Sequence, residues 1–151
     1  MVRQLIAASG ALIAVAAWPL APQAAADAGQ VIQLQDGTVR CLISAADVPR
    51  GVKPEVNCET DGLMFGDSTW STEKDSAPLN VAVMLGSGEF YFERGNVPGT
   101  AEDSGQAVSV AAGQTLHLNG WTITGEGYRT RIVNDASRHG LFINAVEVRQ
   151  F

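Results

Sequence analysis

The sequence predicts a single all-β domain, an antiparallel β-sandwich or partly closed barrel with one disulfide, preceded by a signal peptide. Three observations lead there. Short apolar runs alternate with Gly, Asn, Asp and Pro along residues 27–151, as strands joined by tight turns do. No stretch of about 10–15 residues carries the helical period that a βαβ fold needs between strands. Two cysteines, Cys41 and Cys58, stand in that region and no others occur in the chain.

Residues 1–26 read MVRQLIAASGALIAVAAWPLAPQAAA. Arg3 supplies a positive end, Leu5 to Leu20 an apolar stretch, and Ala24-Ala25-Ala26 the small side chains a signal peptidase accepts. A spanning helix needs about 20 predominantly apolar residues. This run is shorter and is interrupted by Pro19 and Pro22, so cleavage before Asp27 is expected in preference to retention as an anchor. The expected organisation is 1–26 as a cleavable signal and 27–151 as an exported β domain, with no integral membrane segment left after cleavage.

Along that domain, Gln30 to Leu34 forms a first strand and Asp36-Gly37 turns it into a second, Thr38 to Ser44. Ser44 is placed to cap a helical turn over Ala45 to Val48, ended by Pro49. Pro54 to Glu59 returns as a strand and carries Cys58 toward Cys41. Leu63 to Phe65 is a short apolar piece, and Gly66 to Ala77 a polar loop holding Trp70. Leu79 to Leu85 is a central strand, with Val81, Val83 and Leu85 on one face and Ala82 and Met84 on the other. Gly86-Ser87-Gly88 turns into Glu89 to Arg94, where Phe90 and Phe92 alternate with Glu89, Tyr91 and Glu93. Gly95 to Gly105 is an exposed loop. Strands follow at Ala107 to Val110, Thr115 to Leu118 and Trp121 to Thr124, the last two joined by the tight pair Asn119-Gly120. Tyr128 to Asn134 is a further strand, Asp135 to Gly140 a turn, and Leu141 to Val148 the closing strand. That makes nine or ten strands. The expected core joins Val81, Val83, Phe90, Phe92, Leu116, Leu118, Trp121 and Ile123 between two sheets.

The full chain of 151 residues carries 10 basic and 16 acidic side chains, a net charge of −6. Loss of Arg3 with the signal takes this to −7. Such a balance argues against phosphate-driven nucleic-acid binding and against adhesion to anionic lipid. In an exported chain, two cysteines predict a bridge. Metal ligation or a reactive thiol has no support from neighbouring histidines or from the spacing.

No reactive centre stands out. His117 and His139 are the only histidines, too few for an ordinary set of three or four metal ligands. His117 alternates with Leu116 and Leu118 and is expected on a polar face. Asp135, Ser137 and His139 share one turn, but no nucleophile elbow accompanies them. They are the weak candidates for a catalytic site. Glu89 and Glu93 lie about 13 Å apart along a strand, too far for a retaining glycosidase pair at about 5–5.5 Å. Glu102 and Asp103 lack the oxygen-ligand spacing of a calcium hand. Trp70, in polar surroundings, and Tyr91 are candidates for stacking on a sugar, with a lid over the core as the plainer role for Trp70. Arg129 and Arg131 share a strand face and are placed to meet Glu89 or Glu93. No glycine-rich loop precedes a helix with a phosphate-binding lysine, and neither a cofactor nor a metal is implied.

The stretches DGTVRCLISAADVPRG and VNCE, within 36–59, and GWTITGEGYRTRIVNDASRHGLFINAVEVRQF, 120–151, together resemble small exported proteins of mycobacteria and related actinobacteria that lack an assigned function. Those sequences often carry Thr-Gly-His-Gly near the last turn, where this chain has Ser137-Arg138-His139-Gly140. The resemblance implies secretion and a shared β domain, and transfers no catalytic or binding residue. The leading expectation is a secreted or envelope-associated, non-enzymatic module that contacts an envelope protein or glycan. A small secreted hydrolase and a carbohydrate-binding module are the alternatives. Oligomeric state is left open.

Overall fold

Apolar side chains at alternate positions build the first sheet. In the computed structural model, which describes residues 29–60, 79–97 and 107–151, β1 (Gln30–Leu34) and β2 (Val39–Ser44) pair antiparallel. Ile32, Leu34, Val39, Cys41 and Ile43 are fully buried on the shared inner face. Gln35, Asp36 and Gly37 make the connection, all with positive φ. The expected turn is therefore present, but it is a left-handed three-residue bend. Antiparallel partners follow in β3 (Glu55–Thr60), β4 (Val81–Leu85) and β5 (Phe90–Glu93). β6 (Val108–Val110) pairs with β1 in parallel and completes the order β5-β4-β3-β2-β1-β6. That single parallel pair departs from the all-antiparallel expectation.

The second sheet is a meander of β7 (Thr115–Leu118), β8 (Trp121–Gly125), β9 (Thr130–Asn134), β10 (Gly140–Ile143) and β11 (Val148–Gln150). Its inner face offers Trp121, Ile123, Ile132, Leu141, Ile143 and Val148 to the first sheet. The two sheets enclose one core, so the architecture is a sandwich. Burying each large apolar side chain in such a core contributes about 1.5–3 kcal/mol relative to exposure. Trp121 is fully buried, and its Nε1–H finds no acceptor among the described residues. At one end Asn119, held at φ 53°, donates its side-chain amide to the Ile43 carbonyl at 2.8 Å and ties the second sheet to the first.

The disulfide joins Cys41 to Cys58, which oppose each other directly in the β2–β3 ladder. Among the described residues no cysteine is free, and no helix is long and apolar enough to cross a membrane.

Several expectations need correction. The helical turn lies at Val48–Arg50, not over Ala45–Val48, and its cap is Asp47, whose carboxylate accepts from the Arg50 amide at 3.3 Å. Pro49 sits inside this turn, where an amide hydrogen is not needed, and Gly51 at φ 71° ends it. On β4, Ala82 and Met84 face the inter-sheet core because they oppose Cys58 and Val56. Val81 and Val83 are also buried but lie on the outer face. Residues 141–148 do not form one strand. The Asn144 carboxamide oxygen accepts from the amides of Val146 and Glu147 at 2.8 and 2.7 Å, and this turn separates β10 from β11. The expected signal at 1–26, the piece Leu63 to Phe65, the loop holding Trp70, and Glu102 and Asp103 lie outside the described residues.

Candidate functional site

Strand alternation gives each sheet an outer face as well as an inner one. On the second sheet that face carries an ordered row. Thr124 of β8 opposes Arg131 of β9, Arg131 opposes Phe142 of β10, and Phe142 opposes Arg149 of β11. Arg129, two residues before Arg131, lies over the Phe142 ring with its guanidinium carbon 3.9 Å from the centroid. Arg149 approaches the same ring at 5.6 Å. Arg131 stands 4.9 Å from the ring of Phe151, which itself lies 4.5 Å from Phe142. Tyr128, 68% exposed, flanks Arg129 at 5.2 Å.

Gly140 makes room for this cluster. A Cβ there would collide with the Ile132 carbonyl and meet the Phe151 ring at 2.9 Å. Reciprocal backbone hydrogen bonds between Gly140 and Phe151 hold the ring in place, at 3.1 and 3.0 Å. Cation–π contacts of this kind contribute about 0.5–1 kcal/mol each at exposed sites. Their larger effect is geometric, since a stacked guanidinium is held flat while the N–H groups at its edge keep their capacity to donate.

Two carboxylates moderate the charge. Glu126 accepts from Arg129 Nε at 2.7 Å, which pushes the Arg129 guanidinium still higher than its usual range. Glu147 lies 4.0 Å from Arg149. Arg131 has no carboxylate partner among the described residues. Arg129 and Arg131 do not meet Glu89 or Glu93, as the sequence suggested. Glu93 ends β5 and Glu89 immediately precedes it, in the other sheet and on the opposite side of the sandwich.

On the same face of the second sheet, the Thr122 hydroxyl donates to Asp135 Oδ1 at 2.6 Å. Its single hydrogen being used, Thr122 accepts from His117 Nδ1–H at 3.0 Å. His117 therefore turns Nε2 outward. The weak catalytic candidates are arranged otherwise. Asp135 is engaged by Thr122, and Ser137 Oγ accepts a long bond from the His139 backbone amide at 3.4 Å. The His139 ring packs on Gly88 in the β4–β5 turn. Among the described residues no hydrogen bond joins the His139 ring to the side chain of Ser137 or Asp135. Arg138 in this turn has φ 68°, a conformation that glycine adopts at little cost.

Tyr91 projects from the outer face of β5 and is 40% exposed. Partial burial, then the charges of Glu93, Glu55 and Glu89, push its phenol above the usual tyrosine range. With Tyr128 replaced by Phe, Tyr91 is the last tyrosine of the chain. Its absorbance titration should then have a midpoint above about 10, and Glu93→Gln should bring it down. The folded state holds this proton more tightly than the unfolded chain. Its contribution to stability is complete below about pH 10 and lost as pH rises through the raised midpoint. A midpoint unmoved by Glu93→Gln would show that the glutamate field does not reach the phenol.

Comparison with protein-family models, curated proteins and solved structures finds no match to this chain. The site is therefore argued from its own geometry. Sequence reading placed Arg129 and Arg131 on one face but missed Phe142, Arg149 and Phe151 as their companions. The signal that could have found them is the alternation within FINAVEVRQF, once the turn at Asn144 is recognised. Among the described residues no group of three or more His, Cys, Asp or Glu is placed to hold a metal.

Proposed function

We propose that this chain is an exported, non-enzymatic module that binds a partner protein through the outer face of its second sheet. The observation that carries the reading is the cluster of Arg129, Arg131 and Arg149 around Phe142 and Phe151, on a chain whose net charge is −6. Arg and aromatic side chains are enriched at the centres of protein interfaces and dominate their binding energy. A flat sheet with stacked guanidiniums suits an acidic partner surface, because charge complementarity steers encounter and fixes register. Export is supported by the Cys41–Cys58 bridge and by the signal-like organisation of residues 1–26. The hydrolase reading draws no support from Asp135, Ser137 and His139, whose side chains are not hydrogen-bonded to one another among the described residues. Of the two aromatic side chains the sequence offered for sugar stacking, Trp70 lies outside the described residues and Tyr91 stands on the other sheet, away from the arginine cluster.

The test compares exported wild-type protein with an Arg131→Glu/Arg149→Glu variant for capture by cell-envelope fractions. Arg149 is exposed and Arg131 half-buried, and losing their two cation–π contacts should cost about 1–2 kcal/mol, so a denaturant curve of the variant confirms that it is folded under the capture conditions. Capture of the variant should fall at least tenfold, the equivalent of about 1.4 kcal/mol. Equal capture would end the assignment of this face, and loss with Trp70→Ala alone would move it to the sugar-binding reading.

A further inference from the structure

The two outer faces carry matching patterns of opposite sign. On β5 and the residue just before it, Glu89, Tyr91 and Glu93 alternate outward, with Leu85, Val83 and Val81 as their neighbours on β4. All three are exposed, and β5 is an edge strand. Glu55 on β3 adds its charge to the phenol's surroundings. The result is an acid–aromatic–acid row running along one strand. On the second sheet, Arg131, Phe142 and Arg149 form a cation–aromatic–cation row running across three strands.

We infer that the partner which fits the arginine face is a second copy of this chain, presenting Glu89, Tyr91 and Glu93. This rests on the reading of that face as a protein-binding surface. The spacing suits the match. The two glutamates are separated by about 13 Å along their strand, and the two arginines by about 10 Å across two inter-strand gaps. The difference is within the reach of long arginine side chains. Tyr91 then lies against the Arg129 guanidinium that covers Phe142, and the carboxylates meet Arg131 and Arg149. One row runs along its strand and the other across its strands, so β5 of one copy crosses β9–β11 of the next at nearly a right angle. This is a crossing that packed sheets adopt.

The two rows lie on opposite sides of the sandwich, so each copy offers both halves of the contact. Such a head-to-tail contact is heterologous and propagates into chains unless the rotation closes a ring. The net negative charge of each copy opposes approach at long range. At about 0.1 M salt this repulsion is screened beyond about 10 Å, whereas the paired rows act at contact.

The test is sedimentation equilibrium on protein recovered after export. Wild-type mass should rise with concentration to at least twice that of one chain. It should return toward one chain when salt is raised to about 1 M, where screening acts within about 3 Å. Two charge-reversed variants, Glu89→Arg/Glu93→Arg and Arg131→Glu/Arg149→Glu, should each remain single chains. Mixed together they should associate again, since each supplies what the other lacks. A wild-type protein that stays a single chain at millimolar concentration would overturn the inference, as would association that survives both reversals or a mixture that stays apart. Envelope capture measured on the same variants separates the two proposals. Arginine-dependent capture by a protein that does not self-associate would remove the second copy and keep the binding face.

Discussion

Replacing both Cys41 and Cys58 by alanine should lower the unfolding free energy by about 3 kcal/mol. The cysteines already oppose each other in the β2–β3 ladder, with their Cα atoms 4.0 Å apart. The bond therefore adds little to native order. It acts mainly on the unfolded chain, where it joins two positions separated by 17 residues and removes much of the freedom of the loop between them. A second contribution comes from packing. Both side chains are fully buried in the inter-sheet core, and losing two sulfur atoms opens space beside Ala82 and Val56. Denaturant unfolding with and without reductant would measure the first contribution, and comparing the reduced wild type with the double variant would isolate the second. The reduced chain should also show a steeper denaturant dependence, because its unfolded state exposes more surface. A midpoint unchanged by reduction would mean that the bond constrains nothing the strands do not already hold.

This bridge was legible because a signal-like N-terminal segment and an even cysteine count can be read before any fold is specified. Turn chemistry was legible for the same kind of reason. Asn119-Gly120 takes the left-handed conformations, φ 53° and 80°, that a tight turn demands whatever surrounds it. Strand facing was harder to read. In VAVML every side chain is apolar and four of the five are buried, so hydropathy cannot say which parity looks inward. The ladder decides it, by setting Ala82 against Cys58 and Met84 against Val56. The last hairpin was hidden because Ala145 and Val146 continue the apolar run. What breaks the strand is one carboxamide oxygen on Asn144 taking two backbone amides, and any asparagine in a loop has that capacity. The arginine face needed both features at once. Arg149 joins Phe142 and Arg131 only after β11 exists and the register of three strands is set. Thr122 likewise bridges His117 and Asp135 only through pairing between strands and a following turn.

Glu59→Ala should cost about 3 kcal/mol, the low end for breaking a buried ion pair by removing one member. Glu59 lies on the outer face of the first sheet and is 4% exposed. Its Oε1 accepts from Arg40 Nη2 at 2.6 Å, and its Oε2 accepts from the buried Val97 amide at 2.7 Å. One carboxylate thus serves a cation on the neighbouring strand and a backbone donor from the segment after β5. Alanine leaves the Val97 N–H without its acceptor and takes this anion from Arg40. The Arg40 side chain keeps 22% exposure, so water recovers part of the loss. Glu59→Gln keeps an acceptor and should cost less, about 1–2 kcal/mol. Hydrogen exchange at the Val97 amide should quicken in both variants, and more in the alanine one, since that amide is where the carboxylate fastens the chain to the sheet. Glu93→Ala provides the contrast. It projects from the same outer face, opposite Val81 on β4, but its side chain is in water, and its loss should change stability by no more than about 0.5 kcal/mol. If Glu59→Ala behaved like Glu93→Ala, solvent would have to satisfy Arg40 and Val97 as well as the carboxylate does. The buried pair would then be incidental to how the segment after β5 is held.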